Sequence, residues 1–155
     1  PLDMHELEDV ARSVRALVLA EGRGCAQLVA HDATVPALLL ERLGPNLDEL
    51  GLGLAEILEA IASTLTTFWR PITIDDGLRS GADQAQWLAA YITSTWEQLS
   101  QPCDREIVDL AVAICERRAA AFDPARAVLV HGDAHGWNTL AVGDGTYKFV
   151  PGPGS

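Results

Sequence analysis

One short segment concentrates the residues of this chain that could perform chemistry. Residues 128–140 read VLVHGDAHGWNTL, with Asp133 shortly after an apolar run and Asn138 five residues later. In phosphoryl transfer a carboxylate can orient and deprotonate the attacking hydroxyl, while an amide oxygen can hold the Mg²⁺ that neutralises the phosphates. We therefore predict Asp133 as a catalytic base and Asn138 as a metal ligand.

The same segment is compatible with a second chemistry. His131, Asp133 and His135 alternate along the chain, and alternate residues of an extended segment project to one side. Their nitrogen and oxygen atoms are suitable zinc ligands. No further cluster of His or Cys in the sequence completes a zinc shell, so phosphoryl transfer is favoured. A polar turn that bonds only to its own backbone is the alternative without chemistry.

The pattern His-Gly-Asp followed by Asn138, after an apolar strand, resembles the catalytic loop of the aminoglycoside phosphotransferase and choline kinase-like family. Three further segments are similar to its streptomycin and hydroxyurea phosphotransferase branch: LLLERLGP at 38–45, WRP at 69–71 and YKFV at 147–150. The resemblance implies an α+β, protein-kinase-like fold, mostly the helical C-terminal lobe with the last strands of the small N-terminal lobe. It also implies ATP- and Mg²⁺-dependent transfer of the γ-phosphate to a hydroxyl of a small molecule, an aminoglycoside such as streptomycin, and hence antibiotic resistance.

The resemblance implies roles for individual residues as well. His131 would brace the catalytic loop, and Glu41, Arg42 and Leu43 would begin the hinge whose backbone meets adenine. The helical lobe of the family supplies an acidic cleft for its substrates. Three aspartates would then contribute to binding a cationic substrate, although solvated loop charge is the simpler interpretation of them: Asp75, Asp76 and Asp83.

The chain departs from the family pattern at several places. The family has a metal-binding Asp directly after the strand that corresponds to 147–150, whereas PGPGS follows here. Its glycine-rich phosphate loop and nucleotide-binding lysine precede the first helix, whereas Lys148 is the only lysine of this chain. Trp137 stands where a small residue commonly precedes the Asn. We therefore expect a fragment that is inactive alone, with 151–155 as a tail left by expression; the alternative is a non-catalytic, kinase-like helical binding module.

Periodic apolar residues predict the elements around the catalytic loop. Residues 1–43 are interpreted as the remnant of a small nucleotide-binding lobe, with a helix from an Asp3–Glu6 capping box to Gly22 and a hairpin from Cys25 to Leu43. Residues 44–150 form the helical catalytic lobe, with the loop at 131–138. Its predicted elements are helices at 54–70, 83–99 and from Pro102 to Asp123, a buried strand at 127–130 and a hairpin at 139–150.

The last two helices each carry a mostly apolar stripe, and Trp87 and Tyr91 are expected in the core or in the wall of a cleft. In the helix at 83–99 the stripe is Trp87, Leu88, Tyr91, Ile92, Thr95 and Leu99. In the following helix it is Ile107, Leu110, Ala111, Ile114 and Arg118.

Composition limits the partners. The chain has 155 residues, 48% of them hydrophobic, and a net charge of -11, from 22 acidic against 11 basic residues. Such a charge repels nucleic acids and anionic membranes and favours a cationic small molecule. Three cysteines without CxxC spacing favour a reducing compartment, and no secretory signal or 18-residue apolar run occurs, so we expect a cytoplasmic protein. Self-association is expected only if truncation exposes a sheet edge.

Overall fold

The structure, a computed structural model, describes residues 4–32, 37–73 and 76–151, with side chains from residue 10 onward. It is α+β, with about 52% helix and 14% strand. Its elements are α1 Met4–Ala20, β1 Leu28–Asp32, β2 Ala37–Leu40, α2 Leu54–Phe68, α3 Gly81–Gln98, α4 Arg105–Ala120, β3 Thr139–Ala141 and β4 Tyr147–Phe149. None of the helices in these ranges is long and apolar enough to cross a bilayer.

The chain divides into two compact units. The first contains Pro1–Ile72 and Val128–Ser155, and the second contains Thr73–Ala127. The predicted four helices and two hairpins are confirmed, although Asp3 of the predicted capping box lies outside the described residues. The predicted division at residue 43 differs from these two units.

Strand β4 forms the centre of the first unit because a second chain segment pairs with its outer edge. Within the β3–β4 hairpin, Phe149 lies opposite Thr139. On the other side of β4, the Phe149 N–H donates to the Gly24 carbonyl (3.0 Å) and the Ala26 N–H donates to the Phe149 carbonyl (2.7 Å). A two-stranded hairpin alone is only marginally stable in water. The segment at 24–26 therefore supplies β4 with a further neighbour.

The outer edge of β3 is paired in the same way. The Gly44 N–H donates to the Ala141 carbonyl (2.8 Å), and the Ala141 N–H donates to the Pro45 carbonyl (2.9 Å). Both edges of the β3–β4 hairpin are therefore hydrogen-bonded to other parts of the first unit. This pairing fixes the hairpin, which begins directly after the predicted catalytic loop.

The core of the first unit is built around Phe149, whose side chain is fully buried. Its ring meets that of Phe68 edge-on, with centroids 6.1 Å apart, and that of His131 at 4.6 Å. The other buried apolar residues of this unit are Leu17, Ala20, Cys25, Ala26, Leu47, Ala60 and Leu129. Burial of large rings supplies most of the stabilisation available to a core of this size.

The β1–β2 hairpin is attached to this core through Glu41. Its strands are antiparallel, with Asp32 opposite Ala37, and most of their side chains are exposed. Glu41 exchanges two hydrogen bonds with Gln27: its N–H donates to the Gln27 carbonyl (2.9 Å), and its carboxylate accepts the Gln27 N–H (2.7 Å). The same carboxylate oxygen accepts Lys148 Nζ at 2.5 Å. A half-buried ion pair thus links the hairpin to β4.

The second unit is a pair of helices whose ends are fixed by local hydrogen bonds. Ser80 caps α3, because Asp83 N–H donates to Ser80 Oγ (3.1 Å) and the Asp83 carboxylate accepts the Ser80 N–H (3.0 Å). Where the chain turns towards α4, the indole of Trp96 donates to the Cys103 carbonyl at 2.9 Å. Trp96 is buried, as are Val108 and Cys115 of α4.

Most of the large side chains on the apolar stripes of α3 and α4 are exposed. Ile107 and Leu110 are 58% and 61% exposed, and Trp87 and Tyr91 are also exposed. The helices pack instead through a face of mostly small residues, which are buried or half-buried, among them Ala85, Ala89, Ala111, Val112, Cys115 and Ala119. Small side chains let helix axes approach closely, and the spacing of apolar residues does not reveal which stripe has the right size.

Two glycines with left-handed backbones allow a test of the packing in the first unit. Gly24 has φ 65° and Gly51 has φ 67°, but a Cβ at Gly24 would lie 2.7 Å from the Phe68 nitrogen, whereas a Cβ at Gly51 meets nothing within 4 Å. We expect Gly51→Ala to lower the free energy of unfolding by about 1–2 kcal/mol through backbone strain alone. Gly24→Ala should cost roughly 1–3 kcal/mol more because Cβ overlaps backbone.

Urea denaturation of the two variants measures the difference. If Gly24→Ala and Gly51→Ala lower the free energy of unfolding equally, segment 24–26 does not approach α2 as closely as described.

Candidate functional site

Two hydrogen bonds to one residue hold the ends of the loop at 131–138. The Val150 N–H donates to the Asn138 carbonyl at 2.9 Å. His131 Nε2 lies 2.9 Å from the Val150 carbonyl. Because a carbonyl only accepts, Nε2 carries a proton and donates it. Val150 follows β4 directly, so the paired hairpin fixes both the beginning and the end of the loop.

The segment that enters the loop is not the predicted buried strand. Within 127–130, Val128 forms one isolated bridge, with Pro71, and the Leu129 N–H donates to the Arg70 carbonyl at 2.9 Å. Leu129 is buried, whereas Val130 is exposed. Proline has no N–H to donate, so a ladder cannot continue past Pro71. The prediction of a buried strand at 127–130 is therefore wrong, although Leu129 anchors the segment.

His131 is packed between two aromatic rings. Its ring lies 6.0 Å from Phe68 and 4.6 Å from Phe149. Burial lowers the pKa of His131, outweighing the opposite effects of the Val150 carbonyl and the Asp133 charge. Its Nδ1 is buried and makes no hydrogen bond within the described residues. The bracing role of His131 stays a prediction.

Asp133 and Asn138 contact each other directly. Asn138 Nδ2 donates to the Asp133 carbonyl and to Asp133 Oδ2, both at 3.0 Å. Because both partners only accept, the NH₂ group must face Asp133, which directs the amide oxygen of Asn138 elsewhere. Asn138 is buried, whereas the Asp133 side chain is 51% exposed. The loop therefore combines a solvent-accessible carboxylate with an amide held in one orientation.

His135 approaches the same carboxylate from within the loop. Its Nδ1 accepts the Trp137 N–H at 3.2 Å, so in the neutral ring the proton is on Nε2. That Nε2 lies 3.5 Å from Asp133 Oδ2. The His135 carbonyl accepts Thr139 Oγ1 at 2.8 Å and so connects the loop to β3. The protein thus contacts Oδ2 of Asp133 twice, and Oδ1 has no hydrogen bond within the described residues.

Asp48 is a neighbour of the loop that the sequence analysis missed. A Cβ at Gly136 would lie 2.8 Å from both carboxylate oxygens of Asp48, so only glycine fits there without a shift. Asp48 is exposed, in a short 3₁₀ turn at Leu47–Leu50 that is capped by Asn46. The Asn46–Glu49 capping pattern could have predicted the turn, but nothing in the sequence indicates its approach to Gly136.

The oxygen atoms of the loop fit Mg²⁺ better than zinc. The described residues contain no group of three His, Cys, Asp or Glu side chains that could hold a metal. His135 Nδ1 accepts the Trp137 N–H and the ring proton lies on Nε2, so neutral His135 offers zinc no free nitrogen, which disfavours the His131–Asp133–His135 zinc site. Mg²⁺ usually keeps several waters and is bound by one or two protein oxygens together with phosphate oxygens. The free oxygens of Asn138 and Asp133 match that smaller requirement.

The predicted hinge residues lie beside the hairpin that follows the loop. Burial raises the pKa of Glu41. The hydrogen bonds from Lys148 and from the Gln27 N–H lower it by more than burial raises it, so the pKa lies below its usual value. Arg42 is exposed and Leu43 is half-buried. Their role as a nucleotide hinge stays a prediction.

None of the three predicted substrate-binding aspartates is a described residue of the first unit, which contains the loop. Asp75 lies outside the described residues, and Asp76 and Asp83 belong to the second unit. The Asp76 carboxylate accepts the Thr73 N–H at 2.8 Å, and that of Asp83 caps α3. Hydrogen bonds from Ser80 lower the pKa of Asp83. Both have local structural contacts, and their binding role stays a prediction.

The burial of His131 predicts a pH-dependent stability. Because burial disfavours the imidazolium of His131, the unfolded chain binds the proton more readily than the folded chain. Between the lowered pKa of folded His131 and the ordinary pKa of histidine, the free energy of unfolding therefore rises with pH. We expect the free energy of unfolding to be constant above about pH 6.5 and to fall as the pH drops from there through the lower pKa of folded His131. Urea titrations between pH 5 and pH 8 measure this slope.

In His131→Phe this dependence should weaken, whereas His31→Gln, at an exposed position of β1, should keep the wild-type profile. A His131→Phe profile as steep as that of the wild type would contradict the assigned burial.

The comparisons with known proteins identify no relative of this chain. The chain was compared with protein-family models, with curated proteins and with solved structures, and none of them matches. The fold and the site therefore rest on the residues of this chain alone.

Proposed function

We propose that this chain carries the catalytic loop of an ATP- and Mg²⁺-dependent phosphotransferase that acts on a hydroxyl of a small, cationic molecule. The observation that supports this proposal most strongly is the pair of hydrogen bonds from Asn138 Nδ2 to the carbonyl and carboxylate of Asp133. They hold the Asp133 carboxylate next to the Asn138 amide and leave the amide oxygen free, and a carboxylate and an amide oxygen are the groups that phosphoryl transfer uses.

Asp133 is the general base of the proposed reaction. Its Oδ2 is occupied by Asn138 and approached by His135, which leaves Oδ1 to accept the proton of the acceptor hydroxyl. The acceptor oxygen bonds to the γ-phosphorus of ATP, the bond from that phosphorus to the bridging oxygen breaks, and ADP leaves. Positioning of the hydroxyl accounts for much of the catalysis in such reactions, since little covalent chemistry falls to the protein.

Asn138 provides the metal-binding atom. Mg²⁺, when bound, would neutralise charge on the phosphates, with Asn138 Oδ1 as its ligand from the loop. The buried side chain of Asn138 cannot turn without losing both hydrogen bonds to Asp133, so its oxygen keeps one direction. The acidic surface of the chain, with a net charge of -11, favours a cationic acceptor.

A second candidate function is a non-catalytic binding module. Its support is the exposure of large apolar side chains on α3 and α4, including Trp87, Tyr91, Ile107 and Leu110. Exposed apolar surface of this kind often marks a protein interface. Undetectable binding of Mg·ATP together with stable self-association in sedimentation would favour this candidate over the enzyme.

Replacing the base tests the first candidate. In the complete protein, Asp133→Asn keeps the shape of the side chain but cannot take up the proton, so we expect phosphate transfer from ATP to streptomycin to fall about 10²–10⁴-fold. Transfer is measured as ADP release and confirmed by the mass of the phosphorylated product.

Asp109→Asn is the matched control. Asp109 is exposed and pairs with Arg105 within α4, at 2.7 Å, so its loss should leave transfer unchanged. If Asp133→Asn retains turnover, Asp133 is not the base; if the wild type binds no Mg·ATP, the proposed function itself is wrong.

A further inference from the structure

Trp137 is the most exposed aromatic residue of the described chain, with 70% of its surface accessible. It lies in the 3₁₀ turn Gly136–Asn138, directly before the proposed metal ligand. The ring pairs and cation contacts of the described residues do not include it. The face of this indole is therefore accessible to a bound molecule.

The backbone of Trp137 is fixed relative to the proposed base. Its N–H donates to His135 Nδ1, and the other nitrogen of that imidazole lies 3.5 Å from Asp133 Oδ2. On the other side, Asn138 is bonded to Asp133 and to Val150. The exposed indole is therefore attached to a hydrogen-bonded turn. The His135 ring connects this turn to the Asp133 carboxylate, which would bind the acceptor hydroxyl.

We infer that the Trp137 indole stacks against a cationic group of the acceptor, a guanidinium or an ammonium, and so contributes to acceptor specificity. This inference rests on the proposed function. Tryptophan is the side chain that attracts cations most strongly through its ring face. The turn is also flanked by two exposed carboxylates, Asp133 and Asp48, the second of which contacts Gly136.

The charges around the loop favour a cation over a nucleobase as the stacking partner. Residues 131–138 contain two histidines and one aspartate but no lysine or arginine. A neutral base would gain only the stacking, whereas a cation would also gain from the Asp133 and Asp48 carboxylates. Stacking of adenine on Trp137 is the competing outcome that the experiment below separates.

Nuclear magnetic resonance of the ¹⁵N-labelled tryptophan side chains tests the inference without requiring turnover. The Trp137 indole signal is assigned by its loss in Trp137→Phe, and the protein is titrated with agmatine, a small guanidinium compound, with streptomycin, and separately with Mg·ATP. We expect agmatine and streptomycin to shift the Trp137 signal selectively. Trp137→Leu should then weaken streptomycin binding roughly 5–30-fold, the range of a cation–π contact.

Trp69 provides the matched control, since it is exposed at the end of α2 in the same unit. Trp69→Phe should leave streptomycin affinity unchanged. An unshifted Trp137 signal with both cations, equal affinity in Trp137→Leu, or a shift caused by Mg·ATP alone would each overturn the inference. A selective cation shift together with undiminished transfer in Asp133→Asn would instead contradict only the assignment of the base.

Discussion

The geometry of the candidate site depends on the two hydrogen bonds that Val150 makes to opposite ends of one loop. Its N–H holds the Asn138 carbonyl and its carbonyl holds the His131 ring. Residues 131–138 are polar and rich in glycine, a composition with little intrinsic preference for one conformation. Closing the loop at both ends reduces the conformational entropy that would otherwise favour other arrangements.

The rest of the first unit serves to fix Val150. Strand β4 is paired with β3 on one side and with segment 24–26 on the other, and the fully buried ring of Phe149 packs against Phe68 and His131. The Lys148–Glu41 ion pair adds a half-buried link to the β1–β2 hairpin. Because successive strand residues face opposite sides, Phe149 anchors the core while Lys148 reaches Glu41.

Within the closed loop, the two oxygens of Asp133 become chemically different. Asn138 occupies Oδ2, and the His135 ring approaches the same atom, whereas Oδ1 remains open towards solvent. A carboxylate held through one oxygen keeps its direction, and it can still accept a proton through the other. This division of roles follows from the positions of one amide and one imidazole.

The sequence predicted those parts of the structure that depend on local patterns. The helices and hairpins follow from apolar periodicity. The motif spacing singled out Asp133 and Asn138, and their direct hydrogen bond is a finding of the structure. It did not predict which stripe of α4 is buried. Ile107 and Val108 are both apolar, yet Ile107 is exposed and Val108 is buried.

Contacts made by the backbone were equally hidden. The role of Val150 lies in its N–H and carbonyl groups, which any non-proline residue possesses, so the side-chain sequence carries no signal for it. The contact between Asp48 and Gly136 joins residues far apart in the chain, and single-sequence patterns carry no information on such pairs.

Paramagnetic broadening tests whether the closed loop 131–138 is the proposed binding site for metal and nucleotide. Mn²⁺ with a non-hydrolysable ATP analogue is added to ¹⁵N-labelled protein, and the side-chain NH₂ signals are followed. We expect the Asn138 NH₂ signal, assigned by its loss in Asn138→Ala, to broaden first, together with the backbone signals of 131–138. Broadening centred elsewhere, or none with the nucleotide present, would contradict it.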